Sequence, residues 1–173
     1  MNFVITAGHS NTDPGAVAGT RKEADIARDM RNMVALKLRQ RGHTVATDGE
    51  GEVNKPLREA IALIKSGAVA VEFHCNASTN SHATGVESIS LPKHKSLAQR
   101  ISKCVSEVLG LPLRGDAGWI DQSASARGRL GFVNAGGVIV ELFFLSNPDN
   151  LHAWDSKKWL VATAVTNALE SSP

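Results

Sequence analysis

Cysteine is scarce in this chain: Cys75 and Cys104 are the only two in 173 residues. Two cysteines make no disulfide framework. Cys75 falls in an apolar strand pattern and Cys104 at a helix spacing, so both read as buried free thiols and not as a cysteine zinc site. Long apolar runs are missing too. None approaches the roughly 20 residues of a membrane span, so no membrane insertion is expected. The first apolar strand starts at Phe3, which leaves no room for a signal peptide; synthesis in a cytoplasm without one is the expectation. An excess of one charge is also lacking. A formal charge of +2 with no run of Lys and Arg argues against nucleic acid as a partner, yet suits an anionic polymer such as cell wall.

What is present is ordinary for a soluble globular protein, with 42% apolar and 21% charged residues. A chain of this length buries about 70% of its unfolded surface. Without repeats or linkers it reads as a single domain over 1–173, expected to be a monomer. Apolar strands at Phe3–Ala7, Thr44–Thr47 and Ala68–Asn76 alternate with helical patterns from about Arg21 to Arg41 and from Asn54 to Gly67. The first helix carries Ile26, Met30, Met33, Val34 and Leu38 on one face; the second carries Leu57, Ala60, Ile61 and Ile64. Further strands are expected over Gly85–Leu91 and Gly137–Leu145. A helix marked by Leu97, Ile101, Val105 and Val108 lies between them, ending at Gly110. Ser146-Asn147-Pro148 caps a short helix, and Trp159, Ala162, Val165 and Leu169 pattern a last one. This order predicts an α/β fold with a mainly parallel sheet and helices on both faces.

Four positions stand out against this frame. The first strand stops at Gly8-His9 and turns through Asp13-Pro14-Gly15; ligands of open α/β sheets sit at such strand ends. Alone, His9 reads more readily as a solvated loop residue than as a ligand. Glu23 opens the first helix, where Thr20-Arg-Lys-Glu23 fits a capping box as well as it fits a ligand. In the central strand, Glu72, His74 and Asn76 alternate onto one face while Val71, Phe73 and Cys75 take the other. Buried polar groups are costly unless paired or metal-bound, so that triplet calls for a partner. Glu141 interrupts an otherwise apolar strand. Burial there should raise its pKa towards neutrality, suiting a general base or acid, unless it is a structural carboxylate paired with Arg127 or Arg129. The Gly/Ser-rich stretch 114–129 reads either as a substrate-facing loop or as a solvated one. His43, His82, His94 and His152 read as surface residues.

In a parallel sheet, strand ends and following helix N-termini share one edge, so His9, His74 and Glu23 can converge. Two His and one Glu form a catalytic zinc set with a fourth position left for water. Glu141 is then available to take and return a proton.

Taken together, His9 with Asp13-Pro14-Gly15-Ala16, Glu23 with Asp25, His74-Cys-Asn76-Ala77, and Glu141 ahead of Phe144-Leu-Ser-Asn-Pro148-Asp149 resemble the zinc-dependent N-acetylmuramoyl-L-alanine amidases. Gly85 and Arg114-Gly115 are similar as well, and the motifs span nearly the whole chain. The resemblance implies a sheet of about six strands and one zinc ion held by His9, Glu23 and His74, with Glu141 as the catalytic carboxylate. It also implies cleavage of the amide between the lactyl group of N-acetylmuramic acid and L-alanine in peptidoglycan. Asn76, Glu72 and Arg114 are then candidates for substrate contact or for supporting the ligands. The chain departs from the family where Thr6-Ala7-Gly8 precedes His9, where Thr47-Asp48-Gly49 follows the second strand, and where Glu72 replaces a small or apolar residue. The apparent lack of a signal peptide and wall-binding repeats fits a phage endolysin, acting at the cell wall or periplasm after holin-type release. Two rival readings are a zinc carboxypeptidase of the peptide stem, with Arg114, Arg127 or Arg129 receiving a terminal carboxylate, and a non-catalytic wall-binding module.

Overall fold

The computed structural model describes residues 1–125 and 128–171. Six strands form one sheet: β1 (Asn2–Ala7), β4 (Thr44–Ala46), β5 (Val69–Asn76), β6 (Glu87–Ser90), β7 (Trp119–Asp121) and β8 (Val138–Phe144). A separate two-residue hairpin pairs β2 (Val17–Ala18) with β3 (Arg21–Lys22). The sheet order is β4-β1-β5-β8-β6-β7; every pairing is parallel except β6 with β8. The α/β, mainly parallel architecture read from the sequence is therefore the one observed.

Two cores flank the sheet unequally. On one face, α1 (Glu23–Gln40), α3 (Lys95–Leu109) and α5 (Pro148–Glu170) bury Ile26, Met30, Ile101, Trp154 and Val165 against Phe3, Ile5, Phe73 and Leu142. On the other, the short helices α2 (Leu57–Ala62) and α4 (Gly131–Asn134) cover Val4, Ala70 and Ile139. That thin cover leaves part of the second face open. From β1 the chain runs through α1 to β4 on one side, then through α2 to β5 on the other side of β1. The strand order thus reverses between β1 and β5, where open α/β sheets bind their ligands.

Several sequence expectations shift. The short helix and the last helix are one continuous α5, capped by the Asn147 side chain, which accepts from the amides of Asp149 and Asn150. Trp159 points outward from it, 62% exposed, and Trp154 takes the core position instead. The second helix is shorter than expected because only Ala60 of its apolar stripe is fully buried; Leu57 is 47% exposed. The stretch expected as a loop supplies the sixth strand, β7, on the sheet edge. His82 and His152 are exposed as expected. His94 is half-buried, and His43 packs edge-on against Phe3 with its Nε2 2.8 Å from Glu170. Among the described residues no helix is long and apolar enough to cross a membrane.

Candidate functional site

At the point where the strand order reverses, three side chains from separate elements converge. His9 follows the end of β1, Glu23 is the first residue of α1, and His74 lies near the end of β5. One donor atom from each lies within 4.8 Å of the others. His9 Nε2 is 2.9 Å from Glu23 Oε2, and His74 Nδ1 is 2.9 Å from Glu23 Oε1. The two imidazole rings stand edge-to-face with centroids 5.1 Å apart.

The backbone around them is shaped for this approach. A side chain at Gly8 is ruled out, since a Cβ there would fall 2.2 Å from the His74 ring. His9 itself sits in the left-handed region, φ 66°, where β-carbon-bearing residues are strained. A buried network holds it there. Arg31 and Asp48, both without side-chain exposure, pair at 3.1 Å, and Asp48 accepts from the Ala7 amide. Asn54 accepts from Arg31 and donates to the Gly8 carbonyl at 3.0 Å. The buried Asp48 is thus matched by an arginine arriving from α1.

Glu23 is not a helix cap. Lys22 is the N-cap of α1 and carries no side-chain cap bond, while the Glu23 oxygens accept from the amides of Ala16 (3.0 Å) and Cys75 (3.0 Å). The capping-box alternative therefore falls away: both oxygens turn inward, across the sheet edge. Each histidine is also oriented from behind. His9 Nδ1 lies 3.0 Å from Asp13 Oδ2 and His74 Nε2 lies 3.2 Å from Glu72 Oε1, while the other Glu72 oxygen accepts from Thr6 at 3.3 Å. The remaining nitrogen of each ring, Nε2 of His9 and Nδ1 of His74, faces Glu23.

Electrostatics follow from this packing. Burial opposes charge on Glu23, but His74, His9 and the Ala16 amide outweigh it and hold its carboxyl far below the usual range. Burial likewise opposes charge on His74, and Glu23 with Glu72 outweighs it, raising its pKa well above an ordinary imidazole. His9 is raised as well: burial acts against it, and Glu23 and Asp13 prevail. Burial, helped by the Glu23 and Glu141 carboxylates, pushes the Cys75 thiol well upward against Arg21, so the cysteine beside His74 is an inert neighbour.

The cluster lies at the base of a cleft of about 790 Å³ on the thinly covered face. Glu141 lines it from β8, in register with His74 on one side and with Glu87 of β6 on the other. Asn76 and Arg114 line it too, and both bond Glu87. The predicted triplet of β5 is thus divided: Glu72 supports His74, whereas Asn76 turns to Glu87. Sequence reasoning missed Glu87, Asp13 as a partner of His9, and the Arg31–Asp48 pair. A signal existed for each: a carboxylate in a short apolar strand, an acid four residues after the histidine, and an arginine on the buried row of α1. The suggested pairing of Glu141 with Arg127 lies outside the described residues.

The sequence profile described as N-acetylmuramoyl-L-alanine amidase matches residues 3–171. The chain belongs to that family. A Neisseria meningitidis protein, provisionally assigned as an N-acetylmuramoyl-L-alanine amidase, is similar to this amidase at 46% identity and a TM-score of 0.89, covering 97% of this chain and 93% of its own. Two more distant structures share the fold. The catalytic domain of CwlV, an N-acetylmuramoyl-L-alanine amidase from Bacillus (Paenibacillus) polymyxa var. colistinus, does so at 22% identity and a TM-score of 0.82, covering 97% of this chain and 95% of that one. The catalytic domain of the CD27L endolysin targeting Clostridia difficile does so at 21% identity and a TM-score of 0.78, covering 99% and 98%. No curated protein matches the chain. Family membership carries peptidoglycan amidase activity.

Proposed function

We propose that the chain hydrolyses the amide between the lactyl group of N-acetylmuramic acid and L-alanine, using one zinc ion bound by His9, Glu23 and His74. One observation carries this reading: three donor atoms converge within 4.8 Å in a cleft that Glu141 lines one strand away. The donor set fits the metal. Two imidazoles and a carboxylate suit zinc, and the buried His9 Nε2 has no aligned hydrogen-bond partner although Glu23 is near. Asp13 and Glu72 behind the rings are the outer carboxylates that metal-bound histidines commonly use.

Zinc bound there supplies Lewis-acid polarisation of the scissile carbonyl and lowers the pKa of water. The chain's own residues do the rest. His9 through Nε2, His74 through Nδ1 and Glu23 hold the centre, and Glu141 accepts the proton of the attacking water. As the carbonyl carbon gains the water oxygen and loses the amide nitrogen, Glu141 passes that proton to the departing amine. The products are a lactyl carboxylate and a free L-alanine amino group.

Product analysis of digested peptidoglycan tests this. Unsubstituted lactyl groups with new N-terminal alanine are expected; release of free D-alanine instead would indicate the stem carboxypeptidase, and binding without cleavage a wall-binding module. An endolysin role, with release to the wall through a membrane lesion, is a separate proposal. Expression in bacteria with and without a pore-forming protein tests it: lysis only in the first case is expected.

A further inference from the structure

We infer that Arg114 is a specificity residue that receives a carboxylate of the substrate's peptide stem, an inference that rests on the amidase reading above. Arg114 lies on the cleft wall, and its surroundings fix it in place. Its Nε donates to Glu87 Oε2 at 2.6 Å, and the other Glu87 oxygen accepts from Asn76 Nδ2 at 3.1 Å, tying the pair to β5 beside His74. The guanidinium carbon lies 5.0 Å from the Phe144 ring centroid, within cation–π range. Gly85, at φ 123°, makes room for it: a Cβ there would lie 2.7 Å from Arg114 Cγ.

Spending Nε on Glu87 leaves the Nη1 and Nη2 edge for another acceptor, and the side chain is 44% exposed. That edge presents two parallel N–H donors, the geometry that takes a carboxylate bidentately. The charge of the cleft makes such a receptor necessary for an anionic ligand. Among the described residues its lining holds the carboxyl groups of Asp13, Glu23, Glu72, Glu87 and Glu141, and Arg114 is its one Lys or Arg side chain. Beyond the proposed zinc centre, no other Lys or Arg side chain of the described lining is available to a stem carboxylate. The chemical handle lies one residue beyond the L-alanine: a glutamic residue linked through its side chain, whose α-carboxyl is free in some walls and amidated in others.

The test uses the zinc-loaded full chain and two disaccharide-peptides that differ only at that α-carboxyl, free or amidated. Wild type is expected to favour the free acid by roughly tenfold in kcat/KM, the scale of one charge-assisted hydrogen-bonded pair, with the difference in KM. Arg114→Ala should erase the preference by slowing cleavage of the acid more than that of the amide; Arg114→Lys, keeping charge without the fork, should restore part of it. Equal losses on both substrates, or a wild type that cleaves both equally, would overturn the assignment while leaving the amidase reading intact. A wild type that cleaves neither substrate nor whole peptidoglycan overturns the amidase reading itself.

Discussion

Replacing Glu72 by alanine isolates what a carboxylate behind a ligand contributes. Glu72 is 2% exposed, and its two oxygens reach His74 Nε2 and Thr6 Oγ1 at 3.2 and 3.3 Å. In the alanine variant the His74 Nε2–H loses the Glu72 acceptor in a buried setting, a loss of about 1–3 kcal/mol unless water enters the space. Outer partners of this kind are typically worth 10- to 100-fold in metal affinity, about 1.4–2.7 kcal/mol. Chelator competition with zinc should therefore show a dissociation constant raised at least tenfold. Glu72→Gln, which keeps an acceptor oxygen, should lose less. A second effect runs the other way. Although burial opposes charge on His74, Glu72 is one of the groups that raise its pKa, so the variant also loosens the competing proton. The gap between wild type and variant should accordingly widen from pH 6 to pH 8. An alanine variant that binds zinc within twofold of wild type would refute the reasoning, as would a gap that narrows with rising pH.

Glu141→Gln should reduce turnover by at least 100-fold while zinc stoichiometry stays at one per chain; metal analysis alongside a wall-turbidity assay checks both, and lost zinc would mean Glu141 acts as a ligand. Because His9 and His74 are raised in the metal-free chain, protons occupy their nitrogens below those values, so zinc affinity should rise with pH and loading should release protons. Calorimetry in buffers of different ionisation enthalpy measures that release, and none would contradict it. Chelation should abolish activity and added zinc restore it, with residual metal-free turnover as the contrary result. Asp48→Ala leaves the Arg31 charge buried without its carboxylate and should cost about 3 kcal/mol, near the lower end for such pairs because the Val53 carbonyl still accepts from Arg31. Urea melts read it, and a loss under 1 kcal/mol would show the pair to be dispensable.

Much of the fold is legible because its strands are either continuous or strictly alternating. Phe3 to Ala7 and Val69 to Asn76 have no competing reading, and the face shared by Glu72 and His74 follows from period two alone. Edge elements are the ones that escape. Trp119–Asp121 lies at the sheet edge, with β6 as its one neighbouring strand among the described residues, so little burial marks it in the sequence. The continuity of α5 escapes for a different reason: Trp159 mimics a core residue at helical spacing, while Trp154, five residues earlier and on the opposite side of the helix, is the buried one. At the site, local pattern suggested a capping role for Glu23 that tertiary contact overrides, since the Ala16 and Cys75 amides and both histidines compete for the same oxygens. The buried row of α1 marked Arg31 as needing a partner, but that the partner is Asp48 was out of reach for a local reading until the loop after β4 folds over Gly8.

The left-handed backbone at His9 has a consequence for how this chain can change. A histidine held at φ 66° carries roughly 1–2 kcal/mol of strain that glycine would not. Selection for foldedness alone, acting on metal-free protein, therefore favours replacing a residue proposed to bind the metal, whereas selection in the presence of zinc favours keeping it. The same position ranks as a defect or as an asset depending on what the population is screened for, and stabilising campaigns run without the ion will erode the centre before they touch the core.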